Sequence, residues 1–385
     1  MTTANRTLLQ CVVLVAALPI LISGGKARAQ QVGDAATDTS AASISGPNHI
    51  FYRPELNFGS VSVMGPFNVL LNRGFSVLHF RDQPRDVRQL RWGNGFAAVG
   101  DALAHPRAAI ERSGGWGPWL KREFLPSGRV WEWAWAPNYG GHISAGGITS
   151  RYLEEWFEAH RVPLPALSAA VYLMGTMMVN EAIEHQRSTT ASGGAVADLL
   201  IFDPLGILLF RIDGLARFFQ EELHAADWSP QAAVTLPSAR VQNVAQVLAY
   251  KIPLPFLERT RLLLTLGHQG LGGVTYRFDS GLSLGVAGGI DGNVRIVDPE
   301  TGHESIEPRP AGGVYLDRDD SLLASVVLGY EAYNLVGVNV YPGVLPGRFA
   351  SLGLWVTMTQ DREFSFGLSS HSTLGLGTGL DWNQR

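Results

Sequence analysis

Cysteine is almost missing from this chain: 385 residues contain one, Cys11. It lies in a stretch that reads as a cleavable export signal. Arg6 supplies the basic start, Leu8 to Ile22 the apolar core, and Ala27-Arg28-Ala29 the cleavage site. Removal of 1–29 leaves no thiol, which excludes disulfides, cysteine hydrolases and zinc–thiolate sites. Gln10 is too large to precede a lipid-anchored cysteine. Charge is scarce too, at 17%. The chain has 30 basic and 34 acidic residues, and loss of Arg6, Lys26 and Arg28 leaves 27 against 34. A mildly acidic chain without a basic run is not expected to bind nucleic acid. Strong catalytic signatures are absent as well. There is no H-E-x-x-H, the G-x-S-x-G at Gly281 to Gly285 lies within an alternating strand run and not before a helix, and the glycines from Gly140 to Gly147 lead into no phosphate-loop lysine.

What the chain does have is glycine and alternation. Gly281 to Gly289, Val336 to Val340, Leu352 to Val356 and Phe364 to Leu368 place apolar residues at every second position. Period two gives each strand one apolar face. Turn residues at Gly270, Asp279-Ser280-Gly281, Asp291-Gly292, Asp317 to Asp320, Asn334, Pro346-Gly347 and Asp361-Arg362 divide the region from Val241 onward into strands. Their lengths are near the roughly 9–11 residues that a tilted membrane strand needs.

The expected architecture is mainly β with an α-helical insert. It takes the form of an antiparallel outer-membrane β-barrel of about 10–12 strands, packed with a helical hairpin. The expected divisions are a signal at 1–29, a disordered linker at 30–48, a β and Trp-rich segment at 49–140, a helical insert at 141–235 and barrel strands at 236–385. A soluble periplasmic sheet with one hydrated face fits the same alternation. The apolar stretches from Ala166 to Phe210 would also read as an inner-membrane helical hairpin, except that Asp198 and Asp203-Pro204 interrupt the second one.

Between Phe58 and Phe80 the spacing predicts short strands, with Asn72-Arg73-Gly74 as a turn. Five tryptophans, Trp116, Trp119, Trp131, Trp133 and Trp135, suit a membrane-interface belt, a sugar-stacking surface or core packing. Thr149 to His160 and Ala166 to Gln186 read as helices. Ser168, Tyr172, Thr176, Asn180 and Glu184 form a polar stripe on the second. Asp203-Pro204 reads as an N-cap with proline at the first helical position.

The candidate chemistry sits at the end of the second helix. Glu181, Glu184 and His185 share one helical face, where two carboxylates and an imidazole can bind a metal or share a proton. His142 and Asp198 are the expected partners. The plainer reading is a solvated last turn that complements the helix dipole, with the glutamates holding Arg151 or Arg211. Ser144 and Ser150 near His142 permit a Ser–His arrangement, but turn serines are more often structural.

These residues carry a resemblance. His142-x-x-x-Gly146, Arg151, Glu181-x-x-Glu184, Asp198 and Pro204-x-Gly206 resemble a family of bacterial envelope proteins of unknown function. In that family a His-Pro-Tyr-x-Gly segment precedes a small helical hairpin and the strands of an outer-membrane barrel. The likeness spans Trp131 to Phe210, with Ile143, Ser144 and Asn180 standing where the family has Pro, Tyr and often Trp. It implies an outer-membrane location and a shared polar cluster of His142, Glu181, Glu184 and Asp198, with no known reaction or cofactor. The expected role is structural, plug-like or transport-like, with membrane lipid and a small amphiphilic ligand as partners. The alternatives are a lipid- or glycan-directed hydrolase using the Glu181, Glu184 and His185 cluster, and a periplasmic binding module.

Overall fold

Helical segments run from Gly59 to Glu222, and strands follow from Ala226. The computed structural model describes residues 49–80, 83–126, 134–235, 238–297, 304–329, 334–359, 363–371 and 377–382. The expected signal and linker, Trp131, Trp133 and the turn at Asp361-Arg362 lie outside those residues.

The first half corrects the sequence reading. The segment expected to be β-rich forms helical turns at Gly59–Val63, Pro66–Val69, Leu70–Gly74 and Ser76–His79, then helices at Trp92–Ala104, Pro106–Arg112 and Trp116–Phe124. A Val61/Val63 alternation is too short to tell period two from one helical turn, so packing decides. Leu70, Leu71 and Phe75 share a core with Tyr152, Tyr172, Leu173 and Ile183 of the helices Gly147–Ala159 and Pro165–Glu184. Those two helices form the expected hairpin, linked through Arg161 and Leu164, both at positive φ.

The polar stripe of the Pro165–Glu184 helix faces into this core. The Tyr172 hydroxyl donates to the Pro66 carbonyl at 2.6 Å, and the Asn180 amide donates to the Arg73 carbonyl at 2.8 Å. The Pro66 carbonyl also accepts from the Leu70 amide and the Arg73 carbonyl from the Ser76 hydroxyl, so these bonds tie the short turns to the helix. The helix is long and apolar enough to cross a membrane by length and composition, but its Tyr172, Leu173 and Ile183 are core residues here. A buried carboxylate closes the layer: Glu155 accepts from the amides of Ile50, Phe51 and Tyr52 at 2.8–2.9 Å.

The second half is one mostly antiparallel sheet of 13 strands. Three are short: β1 (Ala226–Asp227), β2 (Ala233–Thr235) and β3 (Arg240–Gln242). Next come β4 (Val247–Leu254), β5 (Leu257–Gly267), β6 (Gln269–Arg277), β7 (Leu282–Val297) and β8 (Glu304–Arg318). The meander ends with β9 (Ser321–Leu328), β10 (Asn334–Val340), β11 (Leu352–Thr359), β12 (Phe364–Ser370) and β13 (Gly377–Trp382). The β5–β6 reversal lies at the expected Gly270, just before the first cross-strand pair Leu271 with Thr265. The expected turn at Asp291-Gly292 instead falls inside β7, where Asp291 stays paired with Arg309.

Register aligns the meander residue by residue. One row runs Ile252, Leu262, Val274, Val286, Val314, Val326, Val338, Val356, Phe366, Leu380, one residue from each of β4–β13. Every member is apolar, and seven of them are 41–54% exposed. The neighbouring row points the other way and runs Lys251, Leu263, Gly273, Ala287, Gly313, Val327, Gly337, Thr357, Ser365. The sheet is therefore apolar on its exposed face, while its buried face mixes small, polar and apolar residues.

Large aromatics fill the buried side. The Trp355 indole lies over Gly367 and Gly379, where a Cβ would collide with it. Trp228, Tyr315 and Tyr341 pack together nearby. The cavity they line with Thr265, Gln269 and Asn339 has a volume of about 20 Å³, room for a water but not a solute.

The two edges of the meander meet one stretch of chain. Ala226 and Asp227 pair with β4, while Val234 and Thr235 pair in parallel with β13. The strand order nevertheless begins at β1 and ends at β3, so no ladder among the described residues joins the two ends. Gln231, between the two pairings, donates to the Val340 and Leu354 carbonyls at 3.2 and 3.0 Å.

The helical layer is fixed to the sheet at several points, among them the turn Gly59–Val63 beside β9, where the Ser321 hydroxyl donates to the Phe58 carbonyl at 2.8 Å. Lys251 reaches Asp317 and Asp320 at 2.6 Å each, and His224, just past the last helix, reaches Asp320 at 3.1 Å. Phe210, Ala216 and Phe219 also pack on Leu248 and Tyr250, on the face of β4 opposite Lys251.

Candidate functional site

Two helical runs cross to build the site. One continues without a break through Pro137–Gly146 and Gly147–Ala159; the other runs through Gly193–Ala197, Asp198–Phe202 and Asp203–Leu209. They touch at Gly147 and Gly206. A Cβ on Gly206 would lie 2.7 Å from the carbonyl oxygens of both His142 and Ile143. Only hydrogen at that position lets the backbones approach closely. The first run is π-helical over Pro137–Gly146 and the second over Asp198–Phe202, a widened geometry that often marks functional positions.

The crossing sets His142 between two aspartates. Its Nδ1–H donates to Asp203 Oδ1 at 2.9 Å, and its Nε2 lies 3.6 Å from Asp198 Oδ1. Glu181 approaches from the Pro165–Glu184 helix, which Gly95 packs against at Ala182. His185 Nδ1 stands 3.4 Å from Glu181 Oε2, and its Nε2 lies 3.2 Å from the Ser192 hydroxyl.

Burial dominates the electrostatics. Desolvation alone would make His142 a weak base, but Asp198 and Asp203 outweigh it and lift its pKa to about 10. Burial raises the Asp198 carboxyl to about 7, against the pull of His142. Burial followed by the charges of Glu184 and Asp198 holds Glu181 well above the usual carboxylate range. At neutral pH the cluster thus holds an imidazolium at His142 and a protonated carboxyl at Glu181. Glu181 Oε2, Asp198 Oδ1 and Asp203 Oδ2 are buried without a hydrogen-bond partner among the described residues. Arg73 approaches from below, donating to the Thr149 hydroxyl at 2.8 Å and to the Ala145 carbonyl.

Of the five expected residues, His142 lies against Asp198 and His185 against Glu181, and the charges of His142, Asp198 and Glu181 act on one another. Glu184 is half-buried at the rim and acts on Glu181 through its charge. Asp203 is the residue the sequence reading placed elsewhere. It is no N-cap, because Phe202 before it is already helical and the run continues through it. A buried aspartate facing a histidine is what an Asp-Pro pair conceals when it is read as a helix start. The Ser–His arrangement does not form: the Ser144 hydroxyl donates to the Tyr139 carbonyl. Among the described residues no set of three His, Cys, Asp or Glu side chains is arranged to hold a metal.

Valine at Gly206 is expected to force the two runs apart and cost about 1–3 kcal/mol or more. Urea unfolding followed by tryptophan fluorescence would read this as a lower midpoint, with alanine at Gly93, which has open space around it, as the neutral control.

Compared with known proteins, the chain matches no family model, no curated protein and no solved structure.

Proposed function

We propose that this is an outer-membrane β-barrel protein of the cell envelope with a structural role. In this reading its lumen is filled by its own side chains, and its helical layer is braced by the His142 cluster. The carrying observation is the row from Ile252 to Leu380. An exposed face that is apolar across ten strands suits hydrocarbon, whereas an aqueous sheet keeps its polar residues outward. Closure would come through Ala226–Thr235, which is anchored at both edges of the meander.

The small cavity beside Tyr315 and Tyr341 favours a structural wall over passage of a solute. The burial of the cluster favours a brace over a reaction. Glu181 and Asp203 side chains are 3% and 0% exposed, out of reach of a substrate. The buried His142–Asp203 pair ties the two helical runs together at their crossing. Kinship with the envelope family resembled at His142, Glu181, Asp198 and Gly206 belongs to the same proposal.

Cell fractionation with gel migration before and after boiling tests it. The expected result is an outer-membrane band that shifts on heating. A soluble periplasmic band with no shift would overturn the barrel and leave a binding module on an open sheet.

A further inference from the structure

The helical layer has an apolar face of its own. Leu200, Leu205, Leu208, Ile212 and Phe218 are 38–63% exposed, all on the run 193–209 and the turns directly after it. From 199 to 210 the one ionisable residue is Asp203, which is buried against His142. The other side of the same helices is seated on the sheet, with Leu209, Phe210, Leu215 and Phe219 packed on Leu248, Tyr250 and Leu264 of β4 and β5. Charge returns past Phe210, at Arg211, Asp213, Arg217, Glu221 and Glu222.

We infer that residues 199–210 form a ledge that lies in the bilayer against the outside of β4 and β5, with lipid acyl chains as its occupant. This rests on the reading of the sheet as a lipid-facing wall. Three observations select lipid over a protein partner. The helices are seated on the face of β4 and β5 that carries Ile252 and Leu262 of the apolar row, so one medium would cover both. The exposed residues from 199 to 210 are Leu200, Leu205 and Leu208, all aliphatic, and the charges Arg211, Asp213 and Arg217 gather past their C-terminal end and do not surround them. Its backbone is helical throughout 193–209, which satisfies its hydrogen bonds without water. The buried pairing of Asp203 with His142 then has a second purpose, because it removes the segment's own carboxylate from the lipid face.

The test uses the full chain with Cys11→Ser and one added cysteine at a time: Leu208→Cys on the ledge, Val286→Cys on the sheet row, and Glu221→Cys as the aqueous control. Each variant is folded into phosphatidylcholine vesicles, labelled with an environment-sensitive fluorophore and quenched from the acyl chains or from water. The ledge is supported if labels at positions 208 and 286 are both quenched by acyl-chain quencher while the label at 221 answers only to the aqueous one. Quenching at 286 but not at 208 overturns the ledge and leaves the sheet reading standing. Shielding of 208 from both quenchers indicates a protein on that face and also overturns the ledge. Aqueous quenching at both positions overturns ledge and wall together.

Discussion

Arginine in place of Val286 and Val314 together is expected to abolish folding into lipid vesicles. These residues are cross-strand partners in β7 and β8 and are among the exposed members of the apolar row. An arginine at mid-bilayer costs about 2–4 kcal/mol, and two facing each other add mutual repulsion. The same pair on a water-facing sheet would change stability by no more than about 0.5 kcal/mol each. The sign of the argument therefore depends wholly on the medium outside the sheet. Heat-shift gels in vesicles measure it, with Ser280→Arg in the exposed β6–β7 turn as the tolerated control. Normal insertion of the double variant would remove the lipid-facing wall.

Loss of the His142 imidazole is the second large effect expected. His142→Ala leaves Asp203 buried without its cation, and breaking a buried pair on one side typically costs about 3–5 kcal/mol. Removing both partners, as His142→Ala with Asp203→Ala, is expected to cost less than the sum of the two single changes. The pH dependence gives an independent check. His142, Asp198 and Glu181 all have raised pKa values, so the folded state holds more protons than the unfolded chain. The Asp198 contribution is complete below the unfolded carboxyl pKa of about 4 and disappears as pH rises through about 7. The His142 contribution is complete below about 6.5 and disappears as pH rises through about 10. The helical layer should thus have a higher urea midpoint at pH 5 than at pH 9, and His142→Ala should flatten the alkaline part of that slope. A wild-type midpoint that rises between those values would contradict the arrangement described for the cluster.

The sheet was legible because its outer face imposes one chemical class at every second position, and the run Leu352 to Val356 states this directly. The same local rule misplaced Asp291-Gly292. Turn-forming residues stay in a strand when long neighbours keep them paired, and β7 and β8 extend 16 and 15 residues. Phe58 to Phe80 failed for a different reason. Its apolar pairs are too short to carry a period, and what makes them helical is the distant Pro165–Glu184 helix. Within the cluster, His142, Glu181 and Asp198 could be named from chemistry alone. Asp203 could not, since Asp-Pro has a strong local explanation and its partner lies 61 residues earlier. Arg73 was hidden in the same way by Asn72-Arg73-Gly74, a tripeptide with the composition of a turn and the position of a core.

The short stretch from Ala226 to Thr235 sets an order of assembly. Its first residues find β4 almost at once, because Asp227 and Leu248 are near in sequence. Val234 must wait for Thr378, which is synthesised long after. Until that parallel pairing forms, β13 and the far edge of the meander present unpaired backbone groups, the feature that invites pairing with a second chain. The chain thus acts as a clasp set before the belt is made. Its vulnerable interval falls late, between completion of the meander and capture of its last strand, and that interval is where a folding assistant acting on this protein would have most to do.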